Sequence, residues 1–414
     1  MKIKPFLKNF IYSIFFLFQI SLINSLYAEV DYIRMIFRNN ACHSVSIIWN
    51  QKKGKNPILK LYSSNDEKVI AHSVNKKNHF YKFSTQIVRL NNLQAKTKYY
   101  FYIIDSEDTS KTFYFETVSK SENDTLSIIA GGDSRDNRVV RTKANKMLAK
   151  LKADVVLFNG DFIGLDVPKQ WKDWFEDWEK SIADDGRITP LVITRGNHEK
   201  TNKVLVKLFD VPNRKVVFNT EFGDNLLNVI SLNSEILKFL GQKRFLSKTL
   251  KDHKNFHWQI AQYHRPVRPH VAHKKEMENQ YKHFVPLFEK YTNLKLCLEN
   301  DSHTAKITYP IVSSKDTNAD EGFVRDDKNG IVYAGEGCWG APLRKADDKK
   351  SWTRDAEAVN QFNWIFVSKN KIEIRTILYE NENQVNVNSS DSRFKIPENL
   401  VLWGENGKVV EILK

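Results

Sequence analysis

Cysteine is scarce in this sequence, with three residues in a chain of 414. Three cysteines cannot all pair, and none has the Cys-x-x-Cys spacing of a zinc site. A scaffold built on disulfides and a cysteine metal centre are therefore not predicted. We interpret Cys42, Cys297 and Cys338 mainly as core residues, and a single disulfide among them remains open.

Long apolar runs are also lacking, with one exception at the N-terminus. A segment with three lysines precedes an apolar run that begins at Phe10 and is interrupted by Gln19, and a plausible cleavage site follows Ala28. This layout predicts a cleaved signal peptide over residues 1–28, and a membrane anchor is the alternative. We therefore expect an exported protein, periplasmic or secreted, without stable membrane insertion once the signal is removed.

Acidic residues are fewer than basic ones, 49 against 64, which gives a formal net charge of +15. Loss of the three signal lysines leaves 15 − 3 = +12 on the mature chain. A basic surface favours anionic ligands such as phosphate esters. Because the lysines are scattered and no basic helix or aromatic-basic sheet motif is present, specific recognition of nucleic acid is not predicted.

The N-terminal third of the sequence has the pattern of β-structure alone. Short runs rich in β-branched and aromatic residues, such as 32–37 and 98–104, alternate with Asn- and Lys-rich turns at intervals of roughly ten residues. This spacing predicts an all-β sandwich over residues 29–118, followed by a polar linker.

Beyond the linker, short apolar strands alternate with amphipathic helical stretches, for example Arg138 to Lys152 and Lys169 to Ile182. Such alternation predicts a layered α/β domain, which we place at residues 122–380. Residues 381–414 are interpreted as a C-terminal extension.

Five predicted strands of the α/β region lead into clusters of polar residues. Ligands gather beyond the carboxyl ends of strands in such sheets, so we expect the clusters to converge on one site. Carboxylate, amide oxygen and imidazole bind hard or borderline metal ions, and a pair of ions about 4 Å apart is suited to the hydrolysis of phosphate esters. The clusters are Gly132-Asp133, Gly160-Asp161, Gly196-Asn197-His198-Glu199, Tyr263-His264 and Asp301-Ser302-His303.

This ordered series resembles the calcineurin-like metallophosphoesterases. The β region before it, with residues 92–101, resembles the fibronectin-III-like N-terminal domain of purple acid phosphatases, and residues 335–343 resemble that group's late Gly-Ala-Pro-Leu stretch. The resemblance spans about residues 31–380. It implies an α/β metallophosphoesterase sandwich, in which two mixed β-sheets are flanked by helices, preceded by an all-β fibronectin-III-like sandwich.

The resemblance also implies the metal ligands and the ions. Asp133 would bind the first metal, and Asp161 would bridge the two. The second metal would be held by Asn197, His264 and His303. The expected cofactors are one or two ions of iron, zinc or manganese, the second ion being the less certain.

Catalytic and substrate-binding roles are predicted for residues around these ligands. His198 would polarise the ester or protonate the leaving group. Arg135 would contact phosphate, for which a guanidinium is well shaped. Lys306 and Arg268 are further predicted substrate contacts, with simple solvation and an ordinary exposed loop as the respective alternatives.

The sequence departs from the family's pattern at three positions. Gly164 stands where purple enzymes carry a tyrosine, and Arg135 stands where related members carry the histidine of Asp-x-His. The family's Gly-His-x-His is matched to Ser302-His303-Thr304-Ala305, so that a first-metal histidine is missing. We therefore expect one of two arrangements. Either further ligands come from Asp136, Asp166, Asp301 or His270, or the first metal is weak or absent and cations such as Arg135 and Lys306 supply part of its charge.

The leading hypothesis is a metal-dependent hydrolase that uses metal-activated water on a small phosphorylated substrate. A phosphomonoesterase resembling the acid phosphatases comes first. A phosphodiesterase or nucleotidase of the same fold is one alternative. The other is a degenerate protein that binds a phosphorylated or carbohydrate ligand without turnover.

Overall fold

The computed structural model describes residues 30–236, 239–389 and 393–414. The predicted signal peptide lies outside these residues and stays a prediction. Within the described ranges, no helix combines the length and the apolar character needed to cross a bilayer. Cys42, Cys297 and Cys338 are buried and free, so none of them forms the disulfide that the sequence left open.

The N-terminal region folds as a β-sandwich, as predicted. In β7 the side chains alternate, so that Tyr99, Phe101 and Ile103 are buried while their neighbours are half-buried. One layer has the order β1-β2-β6-β5 and the other β4-β3-β7-β8. The strands are β1 (Val30–Ile36), β2 (Val45–Gln51), β3 (Ile58–Ser63), β4 (Asp66–Ser73), β5 (Lys76–Phe80), β6 (Phe83–Leu90), β7 (Lys98–Ile104) and β8 (Phe113–Glu116).

The first part of the α/β region alternates strands and helices. Its elements are β9 (Leu126–Gly131), α1 (Arg138–Leu151), β10 (Val155–Phe158), α2 (Pro168–Trp178), β11 (Leu191–Ile193), α3 (Asn202–Leu208), β12 (Phe218–Phe222), β13 (Leu227–Ser231), α4 (Phe239–Asp252), β14 (Trp258–Gln262), α5 (Glu278–His283), α6 (Val285–Glu289) and β15 (Leu294–Glu299).

The second part consists mainly of strands. They are β16 (Ala305–Thr308), β17 (Ile311–Ser313), β18 (Phe323–Arg325), β19 (Val332–Gly335), β20 (Thr353–Glu357), β21 (Gln361–Val367), β22 (Lys371–Leu378), β23 (Val401–Trp403) and β24 (Val410–Leu413). Residues beyond 380, interpreted from the sequence as an extension, therefore supply β23 and β24, which both pair with β22.

Two mixed sheets form the α/β domain, which confirms the expected fold class. In the first, β21, β9, β10 and β11 are adjacent, and the last three of these run parallel. The second has the order β12-β13-β14-β15-β19-β16-β20, with β13, β14, β15 and β19 parallel. The carboxyl ends of β9 to β11 and of β14 and β15 lead into the predicted ligand clusters.

The sandwich and the α/β domain share a sheet. Strand β1 pairs in parallel with β11 through Ile36 and Leu191, and the Phe37 amide donates to the Leu191 carbonyl at 2.9 Å. The first sheet thus continues as β11-β1-β2-β6-β5 into the sandwich. This pairing covers the edge of β11, which would otherwise present unpaired backbone groups.

Local sequence explains the two helices expected before β11. Helix α1 begins after Asn137, whose side chain accepts from the Val140 amide, and ends at Lys152 in a left-handed conformation. Helix α2 begins with Pro168 at a first-turn position, where the missing N–H costs nothing. Its buried face carries Trp171, Trp174, Phe175 and Trp178. Both helices match the predicted stretches to within a few residues.

Candidate metal centre

The predicted polar residues follow the carboxyl ends of parallel strands and meet at one place. Two groups of potential ligands result, and within each group the ligand atoms lie within 4.8 Å of one another. One group consists of Asp133, Asp161 and His303, and the other of Asp161, His264 and Asp301. All five residues are buried. Asp161 belongs to both groups, which is the arrangement that a bridging carboxylate requires.

Four of these residues have left-handed backbone conformations. The φ angles are 55° at Asp133, 53° at Asp161, 69° at Asp301 and 60° at His303. For a residue with a side chain this conformation costs about 1 kcal/mol or more, and such strain concentrates at functional sites. Its repetition at four residues after three strand ends indicates that the backbone is held in place to direct these side chains.

The first group presents one free oxygen and one free imidazole nitrogen. Asp133 Oδ2 accepts from Asn300 Nδ2 and from the Asp301 amide, both at 2.8 Å, whereas Oδ1 is buried without a hydrogen-bond partner. His303 Nδ1 donates to the Pro342 carbonyl at 3.0 Å. His303 Nε2, 3.4 Å from Asp133 Oδ1, is therefore the nitrogen available to a metal.

The second group is organised around His264. Its Nδ1 donates to the Asn159 carbonyl at 2.8 Å, so that Nε2 is directed at the ligand atoms. Nε2 lies 3.1 Å from Asn197 Oδ1, 3.4 Å from Asp161 Oδ1 and 3.6 Å from Asp301 Oδ1. Asn197 therefore joins this group, as the resemblance implied.

The donor set fits divalent cations. Besides Asp133 Oδ1, Asp161 Oδ2 is buried without a hydrogen-bond partner, and buried carboxylates need a compensating positive charge. Burial lowers the pKa of His264, but Asp161 and Asp133 outweigh burial and raise that pKa well above its ordinary value. The field at this place is thus strongly negative, as a metal centre requires.

The position of His303 corrects the sequence-based assignment. It lies with Asp133, not in the ligand group of His264, whose place is taken by Asp301. Ala305, matched above to the second histidine, begins β16 and pairs with Glu357 in the sheet. The family's Gly-His-x-His therefore corresponds to residues 300–303, two positions earlier. The first ligand group thus contains His303 as the second histidine of that motif, and the second group contains Asp301 where the family pattern has its first histidine.

Lys306 does not present a free charge to a substrate, contrary to the prediction. Its ammonium is buried and contacts Glu299 Oε2 and Glu336 Oε1, each at 2.6 Å. The reason is the position of β16 inside the second sheet, between β19 and β20, where a charged side chain must be paired.

Arg268 is likewise engaged elsewhere. Its guanidinium pairs with Glu276 at 3.1 Å and Glu278 at 3.0 Å, donates to the Glu321 carbonyl and lies over the Tyr281 ring. The predicted substrate contact of Arg268 is therefore wrong, because Glu276 and Glu278 already neutralise its charge.

Most of the further ligands suggested for the first metal do not join the ligand groups. His270 Nε2 lies 2.7 Å from Thr353 Oγ1, and its Nδ1 lies 3.6 Å from Glu336. Asp166 accepts from the Trp171 indole and the Lys200 amide. Neither residue belongs to the two ligand groups, and Asp136 does not either. Of the four candidates, Asp301 alone joins them.

His198 lies beside Asp161 in a defined orientation. Its backbone amide donates to Asp161 Oδ1 at 2.9 Å, and its Nδ1 donates to the Gly164 carbonyl at 2.5 Å. Nε2 therefore faces the site, 3.7 Å from Asp161 Oδ2, and the side chain is 24% exposed. The turn at Gly164 is held by Gln170, whose Oε1 accepts from the Gly164 amide at 2.8 Å.

Arg135 lies between Asp133 and the first turn of α1 with a φ of 43°. Its backbone amide donates to the Asp161 carbonyl at 3.2 Å, and its Nε is buried without a hydrogen-bond partner. Arg135 is thus two residues from Asp133 in the chain and bonded through its backbone to Asp161, and a guanidinium is a group suited to an anionic substrate. Its contact with phosphate stays a prediction.

Sequence reasoning assigned no role to three residues that support the site. The Glu199 carboxylate accepts hydrogen bonds from the backbone amides of Asp161, Phe162 and Gly196, and so holds together the loops that carry Asp161 and Asn197. Burial, and then the charge of Asp161, raise the pKa of Glu199 to about 8. Its position directly after Asn197-His198 was the available signal.

Lys274 and Arg344 contact the loop that carries Asp301. Lys274 Nζ lies 2.7 Å from Asp301 Oδ2. Arg344 donates to the Asp301 carbonyl at 3.0 Å from its side chain and to the His303 carbonyl at 2.9 Å from its backbone. Both residues are distant in sequence from the loop, and no local motif marks them.

Comparison with known proteins agrees with this fold. Residues 124–303 match the family model of the calcineurin-like phosphoesterases. The solved purple acid phosphatase PPD1 from yellow lupin (Lupinus luteus) seeds is similar at a TM-score of 0.72 and 14% identity, over 85% of this chain and 72% of that one. The solved structure of PhoD is similar at 0.67 and 11% identity, over 90% and 88%. At these identities the likeness establishes the fold. No curated protein sequence matches.

Proposed function

We propose that this chain, whose residues 124–303 match the family model of the calcineurin-like phosphoesterases, is a metal-dependent phosphomonoesterase of exported type. The observation that carries the proposal is the pair of ligand groups that share Asp161. A carboxylate common to two groups of oxygen and nitrogen donors is suited to two neighbouring divalent ions. Export rests on the N-terminal sequence pattern.

The residues divide into two ion sites. The first ion would be held by Asp133, Asp161 and His303. The second ion would be held by Asp161, Asn197, His264 and Asp301. Bound divalent ions would supply neutralisation of the ester oxygens and acidification of an attacking water. Iron, zinc and manganese all suit parts of such a donor set.

The chain's own residues would bind the ester and move the proton. Arg135 would bind phosphate oxygens through its guanidinium, whose fixed charge would favour the dianionic phosphate of a monoester. His198 would donate a proton from Nε2 to the leaving oxygen, because its Nδ1 is already committed to the Gly164 carbonyl. The Glu199 carboxylate would hold the loops of Asp161 and Asn197 in place, because it accepts hydrogen bonds from the backbone amides of Asp161 and Gly196.

The experiment is a hydrolysis assay on p-nitrophenyl phosphate and its bis ester, with the mature chain loaded with manganese, zinc or iron. We expect the monoester to be turned over faster than the diester. Asp161→Ala should lower kcat/KM by about 10³-fold or more, since it removes a ligand of both ions. Asp252→Ala, at an exposed helix end, is the matched control and should be active.

Absence of turnover of either ester, with every metal and from acid to neutral pH, would contradict the enzymatic proposal. It would favour a binding protein of the same fold. Preferential turnover of the diester would retain the hydrolase and replace the monoesterase assignment with the phosphodiesterase alternative.

A further inference from the structure

The second ligand group differs from the family's pattern at one position. Where that pattern has the first histidine of Gly-His-x-His, this chain has Asp301, and the group becomes Asp161, Asn197, His264 and Asp301. Its donors are then three oxygens and a single imidazole nitrogen. Oxygen donors favour hard cations such as Mn²⁺, Mg²⁺ and Ca²⁺, whereas added imidazole favours Zn²⁺.

The two oxygens of Asp301 have different partners. Oδ1 lies 3.6 Å from His264 Nε2 and is directed into the ligand group. Oδ2 lies 2.7 Å from Lys274 Nζ. The side chain of Asp301 is only 8% exposed, so that the lysine holds one oxygen and leaves the other for an ion. Asp301 can therefore act as a single-oxygen ligand.

Lys274 offsets the charge of Asp301. Replacing a neutral imidazole with a carboxylate adds one negative charge, and the neighbouring ammonium adds one positive charge. With this ammonium beside it, the carboxylate offers an oxygen donor while its charge is offset within the site. That combination alters the chemical preference of a site more than its overall attraction for cations.

We propose that Asp301 is an ion ligand, and that it shifts the second site's preference towards hard divalent ions and away from Zn²⁺ relative to a histidine ligand. Lys274 compensates the charge of this ligand. The inference rests on the proposed function, because it assumes that the second group holds an ion. It adds which class of ion the site prefers and which residue sets that preference.

The test compares Zn²⁺ and Mn²⁺ affinities of the metal-stripped protein, measured by chelator-buffered titration without substrate. Asp301→His should raise the ratio of Zn²⁺ to Mn²⁺ affinity at least ten-fold. The matched control is Asp327→His, which places the same side chain at an exposed position paired only with Arg325 among the ion pairs of the described residues. The control should leave the ratio as in the wild type.

Two further variants keep the test decisive if Asp301→His does not fold. Asp301→Asn keeps an oxygen donor and removes the charge, so it should weaken both ions and leave their ratio nearly unchanged. Lys274→Met should tighten the binding of both ions several-fold, because it removes a positive charge and frees Oδ2. Circular dichroism of each variant checks folding.

The outcomes separate this inference from the proposed function. An unchanged ratio in folded Asp301→His, or undiminished binding of both ions by Asp301→Asn, would overturn the inference. If the wild type still bound two ions and hydrolysed the monoester, the proposed function would stand. A wild type that binds no divalent ion would overturn both.

Discussion

At the scale of single residues, Lys306 shows how a charge can support a site without contacting a substrate. It lies between Glu299, at the end of β15, and Glu336, directly after β19. Asp301 and His303 emerge from the loop between Glu299 and Lys306. The buried ammonium therefore joins the strand ends from which these ligands arise.

Removal of this ammonium should destabilise the protein. Lys306→Ala would leave two buried carboxylates without their cation, which costs about 3–5 kcal/mol in comparable pairs. Urea unfolding followed by circular dichroism measures the free energy of unfolding. Lys248→Ala, at an exposed position, is the control. Unchanged stability together with weaker phosphate binding would instead restore the role of substrate contact that the sequence suggested.

The orientation of His198 leads to a second prediction. Because Nδ1 donates to the Gly164 carbonyl, only Nε2 can deliver a proton to the leaving group. His198→Ala should lower kcat by roughly 10²- to 10³-fold for phenyl phosphate, and less for p-nitrophenyl phosphate, whose leaving group needs little protonation. The exposed His79 in the sandwich, changed to alanine, is the control. An equal loss for both esters would contradict proton donation.

At the scale of elements, Asp210 joins the sandwich to the α/β domain. This buried residue follows α3 and has a left-handed conformation with a φ of 52°. Its carboxylate forms ion pairs with the guanidinium groups of Arg38 and Arg89, each at 2.6 Å. It also accepts a hydrogen bond from the hydroxyl of Ser46 on β2 at 3.0 Å. Burial raises its pKa, but the hydrogen bonds and charges of Arg89 and Arg38 outweigh burial and hold the pKa below its usual range.

This lowered pKa gives a stability prediction with a defined sign. The contribution of Asp210 is fully present above the carboxyl's unfolded pKa, about 3.9, and is lost as the pH falls through its lower folded value. Asp210→Asn should therefore cost about 2 kcal/mol at pH 7 and less at about pH 3. Urea unfolding at both pH values tests this, with the exposed Asp252→Asn as control. A difference that grew towards low pH would contradict the assignment.

The elements near the site also show where sequence reasoning succeeds. Strand-end glycines and polar residues marked the positions of Asp133, Asp161, Asn197 and His264, because ligand presentation at strand ends is a local pattern. The sequence-based match of Gly-His-x-His to the loop after β15 is wrong by two residues, because it begins at Ser302 and the structure favours Asn300. The segment Asp301-Ser302-His303 contains one histidine, which can be matched to either histidine of Gly-His-x-His. Only the contact of His303 with Asp133 resolves the choice.

At the scale of the whole molecule, the fold class could be predicted, whereas the continuity of the sheets could not. Alternation of strands and helices indicates layers, but the pairing of Ile36 with Leu191 joins segments far apart in sequence. The ion pairs of Lys306 with Glu299 and of Arg268 with Glu276 join residues close in sequence, but the side-chain directions that form them do not follow from a sequence pattern. A charged residue beside a motif has the same appearance in sequence whether it faces substrate or a buried carboxylate.

The central claim is that one bridging carboxylate, Asp161, joins two ligand groups, each of which holds an ion. Its most direct test is the metal content of the purified, reconstituted chain, determined by elemental analysis alongside hydrolysis of p-nitrophenyl phosphate. The account predicts two ions per chain, with loss of both ions and of activity in Asp161→Ala. A wild-type chain that hydrolyses the ester with one ion or none would contradict it.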